Sequence, residues 1–145
     1  IEKYDIQTEG KNCLVVGRSN IVGRPMSILM SLRGRYGNST VTLAHSKSKN
    51  LTELTLKADI IIMALGIPEF LKSDMIKKDS TIIDVGITRV EDKSKKRGYT
   101  IKGDVDFDSV SKKVKFLTPV PGGVGPMTIA MLLQNTLDAR LSTLH

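Results

Sequence analysis

The sequence predicts an α/β fold, a doubly wound, mostly parallel sheet with helices on both faces, and three observations carry that expectation. Short β-rich apolar runs recur about every 20 residues with helical patterns between them, the signature of βαβ units. Several runs are followed by glycine or serine, at Gly17, His45-Ser46, Gly66 and Gly86, and a doubly wound sheet binds ligands outside the carboxyl ends of its strands. The first run also hands over to a helix through Gly17-Arg18-Ser19-Asn20-Ile21-Val22-Gly23-Arg24-Pro25, a corner suited to an anion.

Taken in order, Cys13 to Val16 is the first strand, and Pro25 marks the start of a helix whose apolar face comes from Met26, Ile28, Leu29, Met30 and Leu32. That helix ends at the turn region Gly34 to Asn38, and Thr40 to Ala44 is the second strand. Asn50 caps the next helix, with Glu53 three residues on in the capping-box position. Ile60 to Ala64 is apolar on both faces and therefore reads as a central parallel strand, broken by Gly66 and Pro68. A short helix at Ser73 to Lys77 and a buried strand at Thr81 to Gly86 follow. Thr88 to Lys102 is polar and reads as an exposed loop or hairpin. A short helix near Asp106 to Lys113, a short strand near Val114 to Leu117 and a long helix from Met127 to Leu141, with Pro126 at its start, complete a Rossmann-like arrangement.

Glycines let the corner turn sharply and approach a ligand, and the free N–H groups and positive end of the following helix favour phosphate. Gly17 and Gly23 are present, but Ser19 replaces the middle glycine of the usual dinucleotide fingerprint. An NAD site normally carries an acid at the end of the second strand to hold the ribose 2′-hydroxyl. Here that end reads Thr42-Leu43-Ala44-His45-Ser46-Lys47-Ser48-Lys49, with no acid before Glu53. Ser46 and Arg18 offer donors that suit a 2′-phosphate, which favours NADP and leaves NAD as the other candidate. Lys47 and Lys49 read as solvated, and His45 as a hydrogen-bonded loop residue rather than a base. Thr118 to Thr128 packs three glycines and three prolines into Pro119–Pro126, so its backbone passes a flat ligand in one fixed shape. Thr128, just inside the last helix, is placed to meet a carboxamide or a substrate oxygen.

Composition narrows the function classes. With 145 residues and 40% hydrophobic content there is room for one ordinary core, and no apolar run reaches the roughly 18 residues of a membrane span. The lone Cys13 excludes an internal disulfide and fits a reducing compartment, the cytoplasm or an organellar matrix. Only His45 and His145 accompany it, without ligand spacing, so no metal is expected. The net charge of +7 invites polyanions. Much of the excess sits in Lys93-Ser94-Lys95-Lys96-Arg97, however, and with no Trp and 4% aromatics there are few stacking platforms, so nucleic acid is not the expected partner.

Gly17 through Met26, His45-Ser46, Ala58-Asp59-Ile60, Ile83 through Ile87, Gly103-Asp104-Val105 and Thr118 through Thr128 together resemble the bifunctional methylenetetrahydrofolate dehydrogenase/cyclohydrolase family, in family order over almost the whole chain. The resemblance implies an NAD(P)-binding domain at residues 11–145. It places Gly17, Arg18, Ser19, Ile21, Val22 and Gly23 around the phosphates, Ser46 near the adenosine 2′-phosphate, and Gly66, Gly86, Ile87 and Thr128 along the rest of the cofactor. It makes Pro121, Gly122, Gly123, Val124, Gly125 and Pro126 a loop facing nicotinamide and folate.

Family members also carry an amino-terminal substrate domain with a Tyr-x-x-x-Lys pair, whose lysine is catalytic. Nothing here matches it, since Tyr4 is followed by Thr8 and Tyr99 by Gly103 at that spacing, so no catalytic residue is assigned within the chain. Residues 1–10 look like the tail of a linker helix leaving that domain, and Ala139 to His145, which pack on it in the family, are expected to be exposed. Thr88 stands where many members have asparagine. The implied partners are a folate substrate shared with the missing domain and a second copy in a homodimer. The implied chemistry is hydride transfer from 5,10-methylenetetrahydrofolate to NADP and then hydration of the methenyl cation, with this chain alone binding NADP but turning nothing over. A different reading is a stand-alone dinucleotide-binding regulatory module, in which the Thr118 to Thr128 loop faces a partner protein.

Overall fold

The computed structural model describes residues 1–143, so His145 and the expected boundary at 145 lie outside the described residues. Seven strands and four helices follow in the order β1 (Asn12–Val16), α1 (Gly23–Ser31), β2 (Thr40–Ala44), α2 (Leu51–Lys57), β3 (Ile60–Met63), β4 (Thr81–Asp84), β5 (Thr88–Glu91), β6 (Tyr99–Lys102), α3 (Phe107–Val110), β7 (Phe116–Leu117) and α4 (Val124–Ser142). The main sheet has the order β2-β1-β3-β4-β7 with every pairing parallel. Beside it β5 and β6 pair antiparallel, from Thr88 opposite Lys102 to Glu91 opposite Tyr99, so the polar excursion is a hairpin.

Strand alternation builds a core on each face of the sheet. Leu14 and Val16 of β1 join Ile61, Met63 and Ile82 in one cluster, which Leu51 and Leu54 of α2 and Val110 of α3 cover. Cys13 and Val15 point the other way, with Ile60 and Ile62, onto Met26 and Met30 of α1. All four residues of β3 are buried, which explains why its sequence is apolar without alternation.

Several local expectations are corrected. Helices α1 and α4 begin two residues before Pro25 and Pro126, in the first turn where a missing N–H is still harmless. Of the five residues expected on the apolar face of this helix, Met26 and Met30 do pack against the sheet, with Gly23 buried beside them, whereas Ile28, Leu29 and Leu32 are exposed. Asn50 does precede α2 but in the left-handed conformation, φ 56°, with no side-chain cap, and Glu53 pairs with Lys57 at 2.5 Å. The expected helix at 73–77 is a single 3-10 turn, Ser73–Met75. Residues 1–10 form turns rather than helix, with Asp5 N–H donating to Glu2 C=O and Ile6 N–H to Ile1 C=O, both at 3.0 Å.

Cys13 is 1% exposed, and burial pushes its thiol pKa up to about 12. The reactive thiolate is therefore scarce at neutral pH. A thiol reagent is expected to leave Cys13 unmodified in the native protein and to label it fully in urea. Native-state labelling at the unfolded rate would show that β1 opens.

Candidate functional site

The carboxyl ends of the parallel strands form one crest, because backbone hydrogen bonds carry the pairing just past each strand. Gly17 N–H donates to Ala44 C=O, Ala64 N–H to Val16 C=O and Val85 N–H to Met63 C=O, each at 2.8 Å. Asp84 N–H donates to Thr118 Oγ1 at 2.8 Å, which ties in the loop after β7. From β1 the chain passes to β2 on one side and then crosses to β3 on the other, so the topological switch point lies beside Gly17.

At that point the backbone leaves no room for side chains. Gly17 has φ 133°, and a Cβ there would fall on the carbonyl of Ala64; a Cβ on Gly23 would fall on the carbonyl of Gly17. Ser19 does the work of a cap: its Oγ accepts the N–H groups of Val22 at 3.0 Å and Gly23 at 3.4 Å, and its C=O accepts Arg24 N–H at 3.0 Å. Among the described residues, the N–H groups of Arg18, Ser19, Asn20 and Ile21 donate to no protein acceptor. Four free donors at the amino end of a nine-residue helix, with Arg18 exposed beside them, fit a diphosphate.

The turn after β2 is built around His45. Its N–H donates to Ser48 Oγ at 3.0 Å and its Nδ1 accepts Lys47 N–H at 3.1 Å, so its role is to shape the turn. Ser46 stands exposed at the tip, its hydroxyl without a partner among the described residues.

At the opposite end of the crest a cleft of about 100 Å³ lies between Gly86-Ile87 after β4, Ile101 of β6 and the loop Pro119 to Pro126, whose Val120-Pro121 bond is cis. Gly86, Ile87, Pro121, Gly122, Gly123, Val124, Gly125 and Pro126 are thus brought together around one cleft. Thr128 is not among the cleft residues; it lies a turn inside α4, its hydroxyl donating to Val124 C=O at 3.0 Å. Gly66 is joined to this end by a carboxylate: Asp104 Oδ2 accepts the N–H groups of Leu65 at 2.6 Å and Gly66 at 2.9 Å. Asp84, Asp104 and Ile101 had been given no role from the sequence. The signal for Asp84 was present, an acid inside the apolar run Thr81 to Val85, where it must find donors.

The sequence pattern described as "Tetrahydrofolate dehydrogenase/cyclohydrolase, NAD(P)-binding domain" matches residues 1–143. The chain belongs to that family. It is 69% identical over 140 residues to the bifunctional protein FolD of Flavobacterium johnsoniae, covering 97% of this chain and 48% of that protein. It is similar to the crystal structure of the bifunctional FolD dehydrogenase/cyclohydrolase from Campylobacter jejuni, with TM-score 0.87 and 47% identity over 98% of this chain and 47% of that one. The Trypanosoma brucei FolD structure, complexed with NADP cofactor and inhibitor, matches with TM-score 0.86 and 39% identity over 94% of this chain and 45% of that one. The chain spans about half the length of the curated relatives it matches. Among the described residues no helix is long and apolar enough to cross a membrane.

Proposed function

We propose that this chain is the cofactor half of an NADP-dependent 5,10-methylenetetrahydrofolate dehydrogenase and 5,10-methenyltetrahydrofolate cyclohydrolase, with residues 1–10 leading in from an amino-terminal substrate domain and residues 11–145 holding the cofactor. The observation that carries the reading is the order of sites along the crest. Going from β2 to β1 to β4 one meets Ser46, then the Gly17–Gly23 corner that carries Arg18, then the Gly86 cleft. That is the order of adenosine 2′-phosphate, diphosphate and nicotinamide in NADP.

In this reading the free amides of Arg18 to Ile21 hold the diphosphate, the Arg18 guanidinium and Ser46 hydroxyl hold the 2′-phosphate, and Gly66 lies along the strand between. Gly86 and Ile87 make one wall for the nicotinamide, and Pro121 to Pro126 make the other and face the folate. When bound, the nicotinamide accepts the hydride that leaves the methylene carbon of the folate; water then adds to the methenyl carbon. This chain's contribution is placement of the two reactants, since none of its residues at the cleft supplies a Tyr-Lys proton relay. Helix α4 supports the missing half: none of its 19 residues is buried, and Ile129, Leu132 and Leu133 are 65%, 65% and 68% exposed. Residues Ala139 to Thr143 are exposed with it. A homodimer is the assembly we favour, because Ile28 and Leu29 on α1, Leu32 just past its end and Leu43 on the edge strand β2 leave a second apolar surface uncovered.

Calorimetric titration with NADP and NAD in parallel tests this. NADP is expected to bind more tightly than NAD, and Arg18→Ala to weaken NADP by about 1.5 to 3 kcal/mol with a smaller effect on NAD. Equal losses would move Arg18 to the diphosphate and withdraw the NADP preference. The chain alone is expected to oxidise no methylenetetrahydrofolate; measurable turnover without an amino-terminal domain would refute the division of labour, and a source polypeptide of only this length would favour the regulatory module.

A further inference from the structure

Two carboxylates sit at the floor of the cleft, Asp84 among its lining residues and Asp104 behind Gly86, and among the described residues neither forms an ion pair; the four found there use Asp5, Glu53, Asp59 and Glu69. Asp84 is 2% and Asp104 0% exposed. Asp84 accepts the N–H groups of Gly86 at 2.9 Å and of Asp104 and Val105 at 3.0 Å each. Asp104 spends one oxygen on Leu65 and Gly66, while its Oδ1 is buried with no hydrogen-bond partner among the described residues. Gly86 locates that oxygen: a Cβ added there would fall on Asp104 Oδ1, so the bare oxygen lies directly against the Gly86 backbone. Each buried polar atom left unpartnered costs free energy, so an arrangement that keeps one calls for an explanation.

We propose that Asp104 is a positioning residue whose charge, applied through Gly86, favours the oxidised, cationic nicotinamide over the reduced, neutral one. This rests on the reading that Gly86 borders the ring. Backbone N–H dipoles surround the two carboxylates but supply no net positive charge, and a charge in a poorly screened interior acts over several ångströms. The same carboxylate joins the loops that end β3 and β4, so the field and the shape of the ring's wall are set together. The oxidised and reduced cofactors share every phosphate and both riboses; they differ by one hydride on the ring, whose addition removes the ring's positive charge. The ratio of their affinities therefore isolates the field from the fold.

The test is equilibrium binding of NADP and NADPH to the full polypeptide and to its Asp104→Asn variant, which keeps the shape and removes the charge. The wild type is expected to hold NADP more tightly than NADPH, and Asp104→Asn to cut that preference by about threefold or more. A purely structural role would weaken both forms equally. An unchanged ratio in the variant overturns the proposal, as does a wild type that prefers NADPH, and that second measurement decides the matter if the variant does not fold. Binding of neither form would overturn the dinucleotide reading and this proposal with it, whereas binding of both with the wrong ratio overturns the proposal alone.

Discussion

Gly23→Ala is expected to abolish nucleotide binding and to destabilise the protein, although alanine is intrinsically the better helix residue. Gly23 opens α1, where replacing glycine with alanine gains up to about 1 kcal/mol from propensity. Against that, the new methyl would fall on the Gly17 carbonyl, a backbone atom that has no rotamer to retreat into. Overpacking against rigid partners costs about 1 to 3 kcal/mol, so the contact decides the sign. The corner can relieve it only by moving Gly17 and the amides that follow. Misplacing even two charge-assisted bonds to a phosphate costs about 3 kcal/mol or more, roughly a hundredfold in affinity. Titration calorimetry should detect no NADP binding at concentrations that saturate the wild type, and urea unfolding should show a lowered midpoint with an unchanged slope. A variant that binds like the wild type would mean that the cofactor lies elsewhere on the crest.

The corner was legible because its requirement is written in residue types. Close approach of backbone to backbone demands glycine, and a helix start tolerates proline, so Gly17, Gly23 and Pro25 declare themselves in one dimension. Strand β3 was legible for a similar reason: burial on both faces makes Ile60 to Met63 uniformly apolar. What pairing decides was less visible. Ile28 and Leu29 of α1 and Leu32 just beyond it look like core in sequence, but which face of an apolar helix meets the sheet depends on the crossover geometry, and the sheet chose Met26 and Met30. Asn50 carries the right side chain for a cap, yet its backbone is left-handed and the side chain makes no hydrogen bond to the helix amides. The sequence of α4 shows a long apolar helix without saying that none of the described residues buries it. Thr128, expected along the cofactor from its place just inside the last helix and from the family resemblance, lies one helical turn beyond the residues that line the cleft. Asp84 and Asp104 are visible in the sequence only as parts of a family pattern, because the five amides they hold come from three separate stretches of chain.

Asp84→Ala carries the largest expected cost in stability. It would leave the N–H groups of Gly86, Asp104 and Val105 without acceptors at a site that excludes water, at about 1 to 3 kcal/mol each, partly offset because a buried carboxylate is itself costly. A net loss of about 3 to 5 kcal/mol is a large share of the roughly 5 to 15 kcal/mol that holds a domain together. Asp84→Asn should lose less, since an amide oxygen in the Oδ1 position keeps the bonds from Gly86 and Asp104 while its NH₂ opposes Val105 N–H. Acid makes the difference measurable. Burial first, and then the charge of Asp104, raise the Asp84 carboxyl above its ordinary value against the pull of its three amide bonds. A group that binds its proton more tightly folded than unfolded adds stability below the unfolded value, and that increment is lost as pH rises through the folded one. Asparagine does not titrate, and comparison at each pH cancels every other group. The urea-derived stability gap between wild type and Asp84→Asn is therefore expected to shrink as pH rises from about 4 toward neutrality. A gap that widened over that range would mean that the three amides outweigh burial and hold Asp84 as a stabilised anion.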